Sequence, residues 1–106
     1  MGRKKGARKR RNVTKRRCQR WHARQQARDR YGLHLTTDDL EDISWCIRMG
    51  ERVQFVKRQS ARITHHLVNW GGCTLPVVYD KSRHTVVTFL PPSVLPEYRE
   101  MAREVW

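Results

Sequence analysis

The sequence predicts an α+β fold: a basic N-terminal arm and helix, one amphipathic helix packed on a four-stranded antiparallel sheet, and a short C-terminal helix. Three observations lead there. Leu40, Ile43, Cys46 and Ile47 fall at helical spacing ahead of Gly50; four short runs of period two follow; and the whole net charge is gathered before residue 31. A chain of 106 residues has room for one core, so residues 1–30 read as an arm and 31–106 as a single small domain.

Residues 2–13, GRKKGARKRRNV, have almost no apolar side chains to offset ordering entropy and are expected to be without order in the free chain. From Thr14, TKRRCQRWHARQQARDRYG contains no proline, is rich in Arg, Gln and Ala, and meets Gly32, a suitable C′ residue, so a helix of about four turns is expected. Ala23, Ala27 and Tyr31 lie four apart on one side with Trp21 off that line, and little of this helix is expected to be core. The next helix has Thr36 as N-cap, Asp39 three residues on, acids Asp38, Asp39, Glu41 and Asp42 at the positive end of its dipole, and Gly50 as its stop.

The strand-like runs are 52–58, 61–70, 74–80 and 84–90, broken at Gln59-Ser60, Gly71-Gly72 and Lys81-Ser82-Arg83, all lengths that suit hairpins and hence a meander. Pro76 inside the third run points to an edge position or a bulge. Pro91-Pro92 ends the sheet, and residues 93–106 read as a terminal helix with Pro96 near its first turn and Leu95, Tyr98, Met101, Ala102 and Val105 as its apolar side.

Residues 1–30 hold fourteen basic side chains and one acid, Asp29; residues 31–106 hold nine of each, so the arm carries the formal +13. A segment of one sign repels itself and seeks polyanions. Membrane is disfavoured as that partner: there is no apolar run of about eighteen residues and no wide Leu/Phe face. No apolar stretch follows the basic start as in a secretory signal, so a cytoplasmic protein is expected, with association with ribosome or nucleoid, or a place in the nucleus, compatible with the same reading. Cys18, Cys46 and Cys73 are odd in number without CxxC spacing and read as free thiols.

Nucleic acid, with RNA or ribonucleoprotein favoured, is therefore the expected partner, and a host protein complex is the other. Phosphate contacts are assigned to Arg3, Lys4, Lys5, Arg8, Lys9, Arg10, Arg11, Lys15, Arg16, Arg17, Arg20, Arg24 and Arg28, with Trp21 able to stack on a base and Lys57 and Arg58 adding charge from the domain. In composition, this helix resembles the arginine-rich motif of viral RNA-binding peptides, where a Trp sits among arginines. Trp45, Trp70 and Trp106 are expected in the core or at its rim.

In RITHHLVNW, Ile63, His65, Leu67 and Asn69 share one face and Arg62, Thr64, His66, Val68 and Trp70 the other. One histidine is expected to face the helix and the other to be exposed, with Lys57, Arg58, Arg83 and His84 on neighbouring runs. Such a cluster suits metal-free ribonuclease chemistry: a base deprotonates the 2′-hydroxyl, a cation stabilises the charged transition state, and an acid protonates the leaving 5′-oxygen. The plainer reading is an ordinary sheet surface with the inward histidine satisfied by a hydrogen bond. His65, His66 and Cys73 match no common zinc spacing, and no metal or small-molecule cofactor is expected.

The order of one helix and four antiparallel strands, closing on the hairpin VVYDKSRHTVVTFLP, resembles the barnase, EndoU, colicin and RelE group of small ribonucleases, including RelE/ParE-like toxins, over residues 36–90. The resemblance implies catalytic groups drawn from the sheet, here Arg62, His65 or His66, Arg83, His84 and Thr88. There is no clear catalytic Glu on the sheet, and a basic arm this long is unusual for these toxins. The function expected is RNA binding through the arm with a RelE-like domain attached; the alternatives are a metal-independent ribonuclease and a phage or mobile-element factor that binds host machinery.

Overall fold

A computed structural model describes residues 2–105, with the surroundings of side chains 17–103. Three helices and a four-stranded antiparallel sheet make up the α+β fold.

Helix α1 spans Gly2–Tyr31 and so takes in residues 2–13. The stretch expected to be without order is thus helical: it lacks proline, and eight of its twelve residues are Arg, Lys or Ala, against which Gly6 costs about 1 kcal/mol. Gly32 stops it in the left-handed conformation at φ 64°, and the N–H groups of Gly32 and Leu33 return to the Arg28 and Ala27 carbonyls. Helix α2, Thr37–Met49, opens on a full capping box: the Asp39 N–H donates to the Thr36 hydroxyl and the Thr36 N–H to the Asp39 carboxylate. Gly50, at φ 72°, ends it.

The sheet is a meander in the order β1 (Val53–Arg58), β2 (Ile63–Trp70), β3 (Cys73–Asp80), β4 (Thr85–Phe89). Against one face pack α1 and α2, where Ala23, Ala27, Leu40 and Ile43 meet Val68, Leu75, Val77, Tyr79, Val86 and Phe89 in the main core. On the other face, a turn of 3-10 helix at Pro92–Val94 leads into α3 (Leu95–Val105), whose Tyr98 and Ala102 bury Val56 and Leu67 in a second, smaller core. With both faces covered, the five residues Thr64–Val68 are all buried.

Two further expectations change here. The C-terminal half of α1 is not arm but domain: Ala23 and Ala27 have no exposed surface, because their small side chains at a four-residue spacing let the helix lie close against β4. The packed unit thus begins ahead of the boundary drawn at residue 31. Pro76, expected at an edge position or a bulge, lies buried in β3, which runs between β2 and β4, and the irregularity in the β3–β4 register falls a little farther on, between Val78 and Tyr79.

The ladder explains how a strand with two neighbours tolerates this proline. The Pro76 carbonyl accepts from the Leu90 N–H at 2.8 Å, so the ring nitrogen faces the point where β4 has ended rather than β2. The Leu90 carbonyl, which an N–H at position 76 would have met, accepts instead from the Tyr31 hydroxyl at 2.5 Å. Burial pushes that hydroxyl's pKa up to about 12, against the opposing charge of Arg30, and keeps it a donor. Arg30 donates to the neighbouring Phe89 carbonyl at 2.7 Å. α1 therefore supplies two hydrogen bonds at the end of β4, one in place of the N–H that Pro76 lacks and one to the outward Phe89 carbonyl that a further strand would otherwise meet.

Candidate nucleic-acid interface

The arm residues Arg3, Lys4, Lys5, Arg8, Lys9, Arg10, Arg11, Lys15 and Arg16 belong to the backbone of α1, but their side chains lie outside the described residues. Farther along, Arg17, Trp21, Arg24 and Arg28 are spaced four, three and four and form one exposed stripe, with Trp21 at 62 % exposure. The stripe flanks the buried line of Ala23, Ala27 and Tyr31 rather than opposing it. It consequently faces the groove between α1 and the segment leading into α2.

That groove, about 500 Å³, is lined by Trp21, Arg24, Gln25 and Arg28 from the helix and by His34, Leu35 and Thr36 from the connection. No carboxylate lines it. Arg24 Nε donates to the Leu35 carbonyl at 2.9 Å and fixes the groove's far wall; Arg28 donates to Gln25 at 2.6 Å. Arg20, at the edge of the stripe, reaches Glu41 of α2 at 3.5 Å. An exposed indole between guanidinium groups offers a flat surface for a base and donors for the phosphates on either side of it. His34, Leu35 and Thr36 carry no sequence signal for this surface, since only the turn at Gly32 brings them beside the helix that bears Gln25.

Lys57 and Arg58 do not join this surface. They sit on β1, at the sheet edge opposite the one α1 covers. The Lys57 ammonium lies 5.4 Å from the centroid of the Tyr98 ring, and Arg58 donates to the Ser60 carbonyl.

The six groups expected to cut RNA are distributed over both faces. His65 faces α3, where its Nδ1 meets the Tyr98 hydroxyl at 2.7 Å and its Nε2 the Gln59 amide oxygen at 2.8 Å. His66 faces the other way, 2.8 Å from the Thr64 hydroxyl and edge-on to Phe55 and Tyr79. Neither is exposed, contrary to expectation, because α3 covers the face that a single packed helix would have left open. Burial lowers the pKa of both; for His66, with His65 and Lys81 adding to the effect, it falls to about 4.

Arg62 and Arg83 are engaged by a residue the sequence reading left aside. Asp80 is fully buried, with Arg83 Nη1 at 3.0 Å and Arg62 Nε at 3.9 Å from its Oδ2. Its Oδ1 accepts from the Ser82 and Arg83 N–H groups and so shapes the hairpin turn. Burial alone would raise its pKa, but these bonds, with the Gln19 side chain, hold it below the usual carboxylate value. Thr88, half-buried, pairs with Val78, which pairs in turn with His65. His84 closes the turn in the left-handed conformation at φ 50°, on the side of His66.

Of the other tryptophans, Trp45 is exposed, Trp70 is half-buried against the main core, and Trp106 lies outside the described residues. Among the described residues no helix is long and apolar enough to cross a membrane. Comparison of the chain with models of known families, with curated proteins and with solved structures finds no match.

Proposed function

We propose that this protein binds RNA through α1, the phosphate backbone being held by the arginines and lysines of residues 3–28 and an unpaired base stacking on Trp21, and that it does so without cleaving the strand. The observation that carries the reading is the partition of charge. Fourteen basic side chains and one acid lie in residues 1–30, while the rest of the chain is balanced, and the C-terminal half of that helix is seated on β4 by Ala23 and Ala27. Binding without cleavage is favoured because His65 is enclosed by Tyr98 and Gln59, and Arg62 and Arg83 are drawn to Asp80. The RelE-like pattern of residues 36–90 enters the proposal as a scaffold for the helix rather than as its chemistry.

The test is a binding titration with a structured RNA at rising salt. Six or more phosphate contacts weaken affinity about a thousandfold between 50 and 200 mM salt. Deleting residues 2–16 removes nine of the fourteen basic side chains yet spares the seated part of the helix, and should flatten that dependence. Unchanged affinity and slope after the deletion would overturn the proposal. Cleavage of the RNA, lost on His66→Gln, would replace it with the ribonuclease reading.

A further inference from the structure

A second concavity, of about 400 Å³, opens at the C-terminal end of α2 on the face of the sheet that His66 occupies. Its floor is aromatic. The His66 ring stands edge-on to Phe55, with centroids 5.6 Å apart, and to Tyr79 at 6.3 Å, and Ile47 closes one side. With its pKa lowered to about 4, His66 is uncharged at neutral pH, so the floor carries no charge of its own.

The rim is the reverse. Arg48 from the last turn of α2, Lys81 from the end of β3 and His84 from the hairpin stand around the opening, and no carboxylate lines it. The hairpin is tied to the helix: the Ser44 hydroxyl donates to the His84 carbonyl at 3.0 Å and lies 3.1 Å from the Tyr79 hydroxyl. His84 is thereby held at the mouth in a left-handed backbone that few residues other than glycine adopt. An uncharged aromatic floor beneath a cationic rim matches a ligand with an apolar ring at one end and an anion at the other, and the volume is that of a small-ligand site.

We infer that this concavity takes one unpaired nucleotide, its base against Phe55 and His66 and its phosphate between Arg48, Lys81 and His84. For a nucleotide within a strand the inference rests on the RNA-binding reading; for a free mononucleotide it does not. It gives the domain a part separate from that of α1, since the helix attracts any polyanion and the concavity discriminates unpaired from paired RNA, whose bases are stacked within the duplex.

Occupancy is read on the full chain from the imidazole NMR signals during titration with each nucleoside 5′-monophosphate and, separately, with inorganic phosphate. Saturable shifts at His66 and His84 are expected, with His65, on the far face, unmoved. Arg48→Gln and Lys81→Gln, both on exposed side chains, should each weaken mononucleotide binding about tenfold, and together should weaken binding of a single-stranded oligonucleotide while leaving a blunt duplex unaffected. No response at His66, or inorganic phosphate binding as tightly as the nucleotides, overturns the inference. Loss of residues 2–16 weakens single-stranded and duplex RNA alike if the α1 reading holds. If that deletion changes nothing while His66 still responds to mononucleotide, the α1 reading falls and the concavity stands.

Discussion

The Tyr31 hydroxyl at the end of β4 permits a test of how the sheet accommodates Pro76. Tyr31→Phe keeps the ring in the core but removes the donor at 2.5 Å from the Leu90 carbonyl. A buried carbonyl left without its partner costs about 1 to 3 kcal/mol; with Tyr31 only half-buried, so that water reaches part of the site, we expect about 1.5 kcal/mol. For a domain of this size, with a urea m-value near 1.5 kcal/mol/M, the midpoint should fall by about 1 M at constant m.

The sharper test is the cycle with Pro76→Ala, which gives β3 an N–H aimed at the same carbonyl. In that background Tyr31→Phe should cost less than about 0.5 kcal/mol, a coupling of about 1 kcal/mol. Equal costs in the two backgrounds would refute the substitution of hydroxyl for N–H. An alkaline titration checks the same bond. The hydroxyl's pKa is raised to about 12 from its ordinary 10.0, so its contribution is complete below pH 10 and lost as pH rises toward 12. Tyr31→Phe should lack that alkaline loss.

Three further outcomes are expected. Asp80→Ala leaves two arginines and two turn N–H groups without their acceptor and should cost about 3 kcal/mol in urea unfolding, with Asp80→Asn less damaging because it keeps an acceptor; equal losses would argue against the turn hydrogen bonds. His66 has a folded pKa near 4, below its ordinary 6.5, so its contribution is complete above pH 6.5 and declines as pH falls toward 4, by about 3 kcal/mol in all. His65 is shifted in the same direction and likewise loses its contribution as pH falls below 6.5, whereas Asp80, held below the usual carboxylate value, matters only under more acidic conditions; an acid profile no flatter in His66→Gln than in the parent would contradict the burial argument. Trp21→Ala should weaken RNA binding by about 1 to 3 kcal/mol without altering the melting temperature, the side chain being 62 % exposed; a stability loss with intact binding would assign the indole to packing instead.

Local chemistry made most of the fold legible. The capping box at Thr36 and Asp39, the stop at Gly50 and the period of two after it lie where the sequence reading put them, because each is decided within a few residues. What failed was the number of covered faces. The run 61–70 was read as one buried and one open face, yet the apolar residues Leu95, Tyr98, Met101 and Ala102 of the last helix also needed a surface to cover. With α1 and α2 on one side of the sheet, the other remained for α3. That second covering encloses His65, and it is why two adjacent histidines are both buried. The role of Asp80 is hidden in the sequence for a related reason. A carboxylate followed by Ser82 and Arg83 carries a turn signal, but its engagement with Arg62 depends on the register of β2 with β3, in which Ile63 faces Asp80.

The same distinction bears on α1. Ala23, Ala27 and Tyr31 form a visible line, but two alanines and a tyrosine offer little apolar surface for a core. It suffices because the partner is a strand edge rather than another helix face. Small side chains permit close approach, and Arg30 and Tyr31 then complete the Phe89 and Leu90 carbonyls. Along the helix, Gln19 to Tyr31 rises about 18 Å, and along the strand and the residue that follows it, Thr85 to Leu90 covers about 17 Å. The match places Gln19 near Asp80 at one end and Tyr31 at Leu90 at the other. A helix anchored at both ends of a strand cannot swing independently of the sheet. The charge it carries is therefore presented in a direction set by the fold, and whatever binds the exposed stripe of Arg17, Trp21, Arg24 and Arg28 also bears on the stability of the strand beneath it.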